Sequence, residues 1–385
     1  MAADIDLTAL RAEARELARG LRSVALEIDA APLAAADLRH PALEAVQTYD
    51  PVRLGNLGQA VALLELAAGD AGAVLACPGP ALAGVLVRIL GDEAQNERLR
   101  AAVADGRTWG YLAVTEPDAG SDVTRLSTEL RPDGDGGHLL YGRKRYIGNG
   151  YRGDVGVVLA RTGPGPVALR AALLTSRPAQ LTAAPLDTVG LRGAQISELT
   201  FDGVPIAAED LLGNHLTPLR RGMWGVQQAF NTVRVQVAAM AVGTAAAVHA
   251  YVRAERVSWN ASDLAQLDAA RAETEAARNL VLQAAAELDA DRRQEYLPAL
   301  AKLTAVRTAR DHCRRLPRLL GRGAFLEHPL LEKWWRDSAA FEFMEGTSHI
   351  QRLHTAQGYL KARPAVRTAH ANGAARPTPT EAVTR

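Results

Sequence analysis

The apolar residues of this chain change period twice, and that double switch limits the fold more than any other feature. Up to about Gly106, and again beyond Leu212-Gly213, they recur at helical spacing; from Trp109 to Gly213 they form short runs between Gly-rich turns. Positions repeating every 3.6 residues bury one stripe of a helix, whereas short runs bounded by turn residues bury a strand. The order helices, strands, helices predicts an α+β multidomain chain: an N-terminal helical lobe, a central β-barrel or sandwich and a C-terminal four-helix bundle. The expected boundaries are 1–109 for the lobe, 110–213 for the β-domain and 214–360 for the bundle. Residues 361–385, polar with three prolines, are expected to form a disordered tail.

Within the lobe, Leu54, Leu57, Val61 and Leu64 mark one helical face and Leu82, Val85, Leu86 and Ile89 a second, with Pro78-Gly79-Pro80 between them. The predicted strands are Tyr111–Val114, Val123–Leu130, His138–Ile147, Val155–Arg161, Val167–Leu174 and Ile196–Phe201. Asp133–Gly137 supplies a hairpin turn. The bundle helices are expected over Val233–Tyr251, Asp263–Asp289 and Tyr296–Leu316, with Pro298 early enough in the last to cost little.

The totals exclude several classes of function. A formal net charge of +1 gives no general attraction to nucleic acid or a membrane surface. The two cysteines, Cys77 and Cys313, match no metal or redox spacing and read as reduced thiols. The N-terminus is acidic where a signal peptide is basic, and no apolar run is taken to reach membrane-spanning length, so a cytoplasmic protein is expected.

The strongest candidate for chemistry is Glu345, in Phe341-Glu342-Phe343-Met344-Glu345-Gly346-Thr347-Ser348-His349. A carboxylate packed among Phe341, Phe343 and Met344 is poorly solvated, which raises its pKa and its basicity. Gly346 lets backbone approach a ligand where a Cβ would collide. The competing reading is a helix that ends at Gly346 and leaves Glu345 in solvent.

Four ordered stretches decide between them. Tyr111–Asp122 (YLAVTEPDAGSD), Lys144–Gly150 (KRYIGNG) with Ala160-Arg161-Thr162, Gly190–Gly193 through Phe201–Pro205, and Arg336-Asp337 with Phe343–Arg352 resemble signatures of the acyl-CoA dehydrogenase flavoprotein family, in that family's order. The resemblance spans Trp109 to Leu360; the first hundred residues match poorly and look shortened. It implies bound FAD, a homodimer or homotetramer, and α,β-dehydrogenation of an acyl thioester carried by coenzyme A or an acyl carrier protein. The electron acceptor would be an electron-transfer flavoprotein or oxygen.

The resemblance also implies roles. Glu345 matches the base that removes the α-proton, its backbone N–H would help hold the thioester oxygen, and the β-hydrogen would leave as hydride to flavin N5. Val114, Thr115 and Ser121 match a loop touching the flavin ring, Tyr146 an aromatic packed on it, and Thr347 and His349 later cofactor contacts. Arg256 and Gln266 fall near positions that reach a neighbouring subunit's cofactor. Ser121, Arg234 and Gly346 match the substrate pocket. Some members carry the base on the helix of Val233, which cannot abstract a proton.

Read alone, Thr115 and Ser121 are turn hydroxyls, Tyr146 a half-buried strand aromatic, Arg234 a snorkelling side chain and His349 a surface histidine. The departures from the family cluster on the cofactor site: Gly148 replaces a Ser or Thr donor to N5, and Pro317, Leu320 and Trp259-Asn260 replace residues of the subunit-crossing part. A flavin monooxygenase or oxidase on the same scaffold is the alternative activity, and a catalytically silent scaffold the third reading. Arg307, Arg310, Arg314, Arg315, Arg318 and Arg322, balanced in sequence by Asp311 alone, form either a solvated or pyrophosphate-contacting face or a dock for an acidic partner.

Overall fold

The computed structural model describes residues 5–46, 51–118, 120 and 125–362. Among them, five α-helices precede the first strand: α1 (Leu7–Ala30), α2 (Pro41–Val46), α3 (Pro51–Ala76), α4 (Ala81–Leu90) and α5 (Glu93–Ala102). Asp6 caps α1 by accepting from the Thr8 and Ala9 amides, and Asp92 and Gln95 form a reciprocal capping box on α5. Helix α3 is interrupted at Gly55 (φ 61°) and at Asp70. At the first break the carboxylate of Asp289 accepts from the Asn56 and Leu57 amides, each at 2.9 Å, and so starts the helix again.

The described strands form one seven-stranded sheet: β1 (Gly110–Ala113), β2 (Glu129–Pro132), β3 (His138–Ile147), β4 (Val155–Arg161), β5 (Leu169–Leu174), β6 (Leu181–Pro185) and β7 (Ser197–Ile206). The strand order is β1-β4-β2-β3-β7-β6, with β5 also paired to β4. Strands β4 and β5 are buried on both faces, and their alternation divides two cores. Val155, Val157, Leu159, Ala171 and Leu173 pack with the helices, while Val158, Ala160, Ala172 and Leu174 pack with Tyr111, Leu140 and Phe201 of the sheet.

The seven strands curl as one sheet, which is the central β-domain expected from the sequence. The sheet corrects two details of that expectation. Val123–Leu130 becomes strand only from Glu129, Leu126–Thr128 being irregular and 123–124 lying outside the described residues. The run Leu181–Pro185, too short and too weak in β-branched residues to stand out, pairs with β7.

The remaining helices are α6 (Gly225–Ala254), α7 (Ala261–Ala290), α8 (Tyr296–Arg315), α9 (Ala324–Glu327), α10 (Pro329–Ala340) and α11 (Ser348–Ala362). Helices α6, α7, α8 and α11 pack together as the bundle, and α3 lies along α6. Small residues permit that last approach: a Cβ on Gly243 would sit 2.6 Å from the carbonyl of Leu64. Leu54–Ala76 and Arg220–Ala254 are, by length and composition, apolar enough to cross a membrane, contrary to the sequence reading. Buried shares of 78% and 72% of their apolar windows identify them as core helices here. The expected disordered tail falls outside the described residues except at Lys361 and Ala362, which continue α11.

One buried cluster ties lobe, sheet and bundle together. Lys333 Nζ lies 2.7 Å from Asp70 Oδ2 and 2.6 Å from Asp337 Oδ2, Trp334 Nε1 donates to Asp70, and the Leu191 amide donates to Asp337. The second break in α3 is thus the place where Asp70 leaves the helix to meet α10. Burial pushes the Asp337 carboxyl up to about 6 against the pull of Lys333. Cys77 and Cys313 are buried and free.

Candidate active site

The turn between α10 and α11 carries Glu345. Its downstream end is held by Glu342, whose carboxylate accepts from the Ser348 amide at 2.8 Å and from the Ser348 hydroxyl at 2.6 Å. Glu345 itself adopts φ 52° and Gly346 φ 97°. A non-glycine residue held in the left-handed region costs on the order of 1–3 kcal/mol and persists only where surrounding contacts enforce it. Three side chains from three helices do so through the turn's carbonyls. Arg234 Nε of α6 lies 3.4 Å from the Glu345 oxygen. Lys302 Nζ of α8 donates to Glu342 O at 3.1 Å and Gly346 O at 2.7 Å. Gln351 Nε2 of α11 donates to Glu345 O and Gly346 O, both at 3.0 Å. A Cβ on Gly346 would come within 2.8 Å of Gln351 Nε2, so this position admits glycine for space as well as for φ.

The Glu342 and Phe343 amides donate to the carbonyls of Ala339 and Ala340, but none of the described residues accepts from the Glu345 N–H. The Glu345 side chain keeps some accessible surface, yet its carboxyl is packed round by protein. Burial pushes it up to about 6, with Arg234 and Lys302 pulling in the opposite direction. Burial likewise brings Lys302 down to about 8 and Arg234 to about 10. The packing differs in one respect from the sequence expectation. Phe341 is fully buried and Met344 packs on the core, but Phe343 is 74% exposed and faces away, so it does not shield the carboxylate.

A second set of residues gathers where β1 ends. Lys144 Nζ donates to Val114 O at 2.9 Å, the Arg145 amide donates to Thr115 O at 2.8 Å, and Lys144 also pairs with Glu116 at 3.0 Å. Burial alone would raise Glu116; Lys144 and the hydroxyls and amides of Ser127 and Thr128 overcome it and hold the carboxylate at about 2. Strand β3 then bulges, with Tyr146 at φ 63° and its ring 61% exposed. Gly148 has open space beside it: a Cβ at this position would meet only Ala194 O at 3.8 Å and Ile196 Cδ1 at 4.0 Å.

Near the end of β1, Leu86, Leu112, Val114, Leu159, Phe230 and Val233 line a small apolar hollow of about 10 Å³, no larger than a water molecule needs. Val233 adjoins Arg234 in sequence, and Arg234 reaches the Glu345 turn.

Comparison with known proteins fits this arrangement. The family models described as acyl-CoA dehydrogenase, middle domain, and acyl-CoA dehydrogenase, C-terminal domain, match residues 112–204 and 220–360. A probable acyl-CoA dehydrogenase, YngJ, of Bacillus subtilis is 30% identical over 285 residues, which cover 70% of this chain and 73% of that one. The chain belongs to the acyl-CoA dehydrogenase family. The family is one of FAD-dependent oxidoreductases. At the level of fold, butyryl-CoA dehydrogenase from Megasphaera elsdenii superposes with a TM-score of 0.79 at 24% identity, over 93% of this chain and 100% of that one. The prolyl acyl carrier protein oxidase AnaB gives 0.78 at 23%, over 93% and 99%. These superpositions take in most of the N-terminal lobe, which the family models leave unmatched.

Other residues expected from the family sit apart. Thr347 is half-buried beside the base and His349 is exposed on α11. Arg256 is exposed, its guanidinium 5.3 Å from the centre of the Trp259 ring, and Gln266 is half-buried on α7. At 1.5 Å per residue along α6, Arg256 lies about 30 Å from Arg234, so the fold does not bring it to Glu345 of the same chain. Ser121 lies outside the described residues. The arginine face has more acidic partners than Asp311 alone: Arg310 is 3.6 Å from Glu342, and Arg315 is 2.9 Å from Glu273. Sequence reasoning missed Lys302 and Gln351. The one available signal for Lys302 was a lone cation among Ala299, Ala301 and Ala305, all on the buried side of a helix.

Proposed function

We propose that this chain dehydrogenates an acyl thioester between its α and β carbons, with bound FAD and with Glu345 as the base. The observation that carries the reading is Glu345 itself: a carboxyl raised to about 6, on a strained turn braced from three helices. Near pH 7 most of it is ionised, while its affinity for a proton exceeds that of a solvated glutamate.

The residues present fit an isoalloxazine. Tyr146 offers an exposed aromatic face on a strained bulge, and the Val114–Thr115 loop beside it is fixed by Lys144 and Arg145. Gly148 leaves room there and offers no side-chain donor. FAD, when bound, supplies the acceptor for the β-hydrogen and its two electrons.

The chain's own contribution begins with the α-proton, which passes to a Glu345 carboxylate oxygen. The Glu345 N–H donates to the thioester oxygen and stabilises negative charge there as the C–H bond breaks. Arg234 and Lys302, behind the turn, keep the base ionised before reaction. The apolar side chains of Leu112, Val114, Phe230 and Val233 are the surface offered to a saturated acyl chain. They offer no partner for a charged terminus, which favours an apolar acyl group over an amino-acyl one.

The same reading makes 110–213 the cofactor-binding unit and 214–360 the unit that carries the base. Thr347 and His349 would touch the cofactor from the base side, with Gly346 beside the substrate. Arg256, so far from Glu345, would serve a second copy of the chain together with Gln266, as a dimer or tetramer allows.

The test is anaerobic mixing of the flavin-loaded protein with a panel of acyl-CoA and acyl-carrier-protein thioesters. Loss of the visible flavin band with an apolar acyl group supports the proposal; no bleaching by any member rejects it. Admitting air afterwards separates oxygen from an electron-transfer flavoprotein as acceptor, by whether the band returns at once.

A further inference from the structure

We propose that Lys302 is a positioning residue for the base: it keeps Glu345 in its left-handed conformation and adds its positive charge to that of Arg234 behind the carboxylate. The catalytic part of this inference rests on the function proposed above; the conformational part does not.

The geometry is specific. Lys302 is fully buried on α8, and its helical neighbours Ala301, Ala305 and Val306 are buried and apolar. An ammonium in such surroundings has to be compensated by acceptors. Both acceptors are carbonyls of one turn, Glu342 O and Gly346 O, which bracket Glu345. Drawing these two oxygens onto one nitrogen closes the turn, and Glu345 takes up the resulting positive φ. Gln351 holds Glu345 O and Gly346 O, and Arg234 holds Glu345 O, but of these three side chains only Lys302 reaches across to Glu342.

The charged and titratable groups around it come from the turn, α6, α8 with its approach, and α11, whereas the buried side of α7 offers Val281, Ala284, Ala285 and Leu288. Glu342 and Glu345 lie in the turn, Arg234 on α6, Arg310 further along α8, Glu295 just before α8 and His354 on α11. Of the cations, Arg234 is already committed to Asn231 Oδ1 at 2.8 Å, and Arg310 is largely exposed beside Glu342. Loss of the Lys302 charge is therefore not made good by a neighbour, and Glu345 is expected to hold its proton to higher pH.

The experiment uses the full-length, flavin-loaded protein as wild type, Lys302→Met and Lys302→Gln. The first measurement is amide hydrogen exchange. The proposal predicts exchange over residues 341–347 at least tenfold faster in Lys302→Met, with α8 itself unchanged, and largely normal in Lys302→Gln, whose amide can still donate. The second is anaerobic flavin reduction by the best thioester of the panel, followed against pH. Lys302→Met should bind that thioester within about threefold of wild type yet reduce flavin about a hundredfold more slowly, the scale of loss for a small misplacement. The acid limb should move up by about one unit in both variants, since neither carries the charge.

Unchanged exchange in the turn, or loosening of α8 together with the turn, would show a merely structural lysine and overturn the proposal. So would a wild-type acid limb in Lys302→Gln, which decides the matter if Lys302→Met does not fold. If no thioester reduces even the wild type, the proposed function fails, and exchange in the turn still decides the positioning role.

Discussion

Replacing Glu345 with glutamine should make the protein more stable while it loses its chemistry. The folded protein raises this carboxyl from an ordinary 4.5 to about 6, because burial disfavours its charged form. A difference of about 1.5 units corresponds to about 2 kcal/mol by linkage. The sign follows from proton counts. Between pH 4.5 and 6 the folded state holds a proton that the unfolded chain has released, so wild-type stability falls as pH rises. Above pH 6 the whole cost of the buried charge is present, and below about pH 4 it is absent. Glutamine is never charged and keeps nearly the same shape. Urea unfolding of both proteins with flavin bound, at pH 8 and at pH 4.5, reads the difference. The variant should be about 2 kcal/mol more stable at pH 8, with most of that gap gone at pH 4.5. A variant no more stable than wild type at pH 8, or a gap independent of pH, would show that the carboxyl is not desolvated and would remove the physical basis for its role.

Two further outcomes follow from the same structure. Lys333→Met leaves Asp70 and Asp337 facing each other in the core without a cation, and should cost about 3–5 kcal/mol in urea unfolding, with lobe and bundle losing structure together. Tyr146→Ala removes an exposed ring from a strained bulge; it should leave unfolding free energy within about 1 kcal/mol of wild type, yet weaken flavin retention on dilution at least tenfold.

The order of elements was legible because the apolar period reports which surface is buried. The long helices α6, α7 and α8 and the strands β3, β4 and β5 all stand where that period placed them. Features set by contacts distant in sequence were not legible. The break in α3 at Asp70 is made by Lys333, 263 positions along the chain, and no local residue announces it. Strand β6 borrows its conformation from β7. In the site, Glu345 could be found because its motif is contiguous. Lys302 and Gln351 act through space on backbone oxygens, a role that leaves no pattern of residue types. Phe343 was misread for a related reason: sequence gives the neighbours of a carboxylate, but the turn geometry decides which of them face it.

Whether Glu345 takes the α-proton is decided by anaerobic stopped-flow mixing of the Glu345→Gln protein with a thioester that bleaches the wild type. The expected variant keeps its yellow flavin and binds the thioester, but its visible band stays intact over times at which the wild type is fully reduced. Reduction of the variant at a rate near that of the wild type would contradict the assignment of Glu345 as the base.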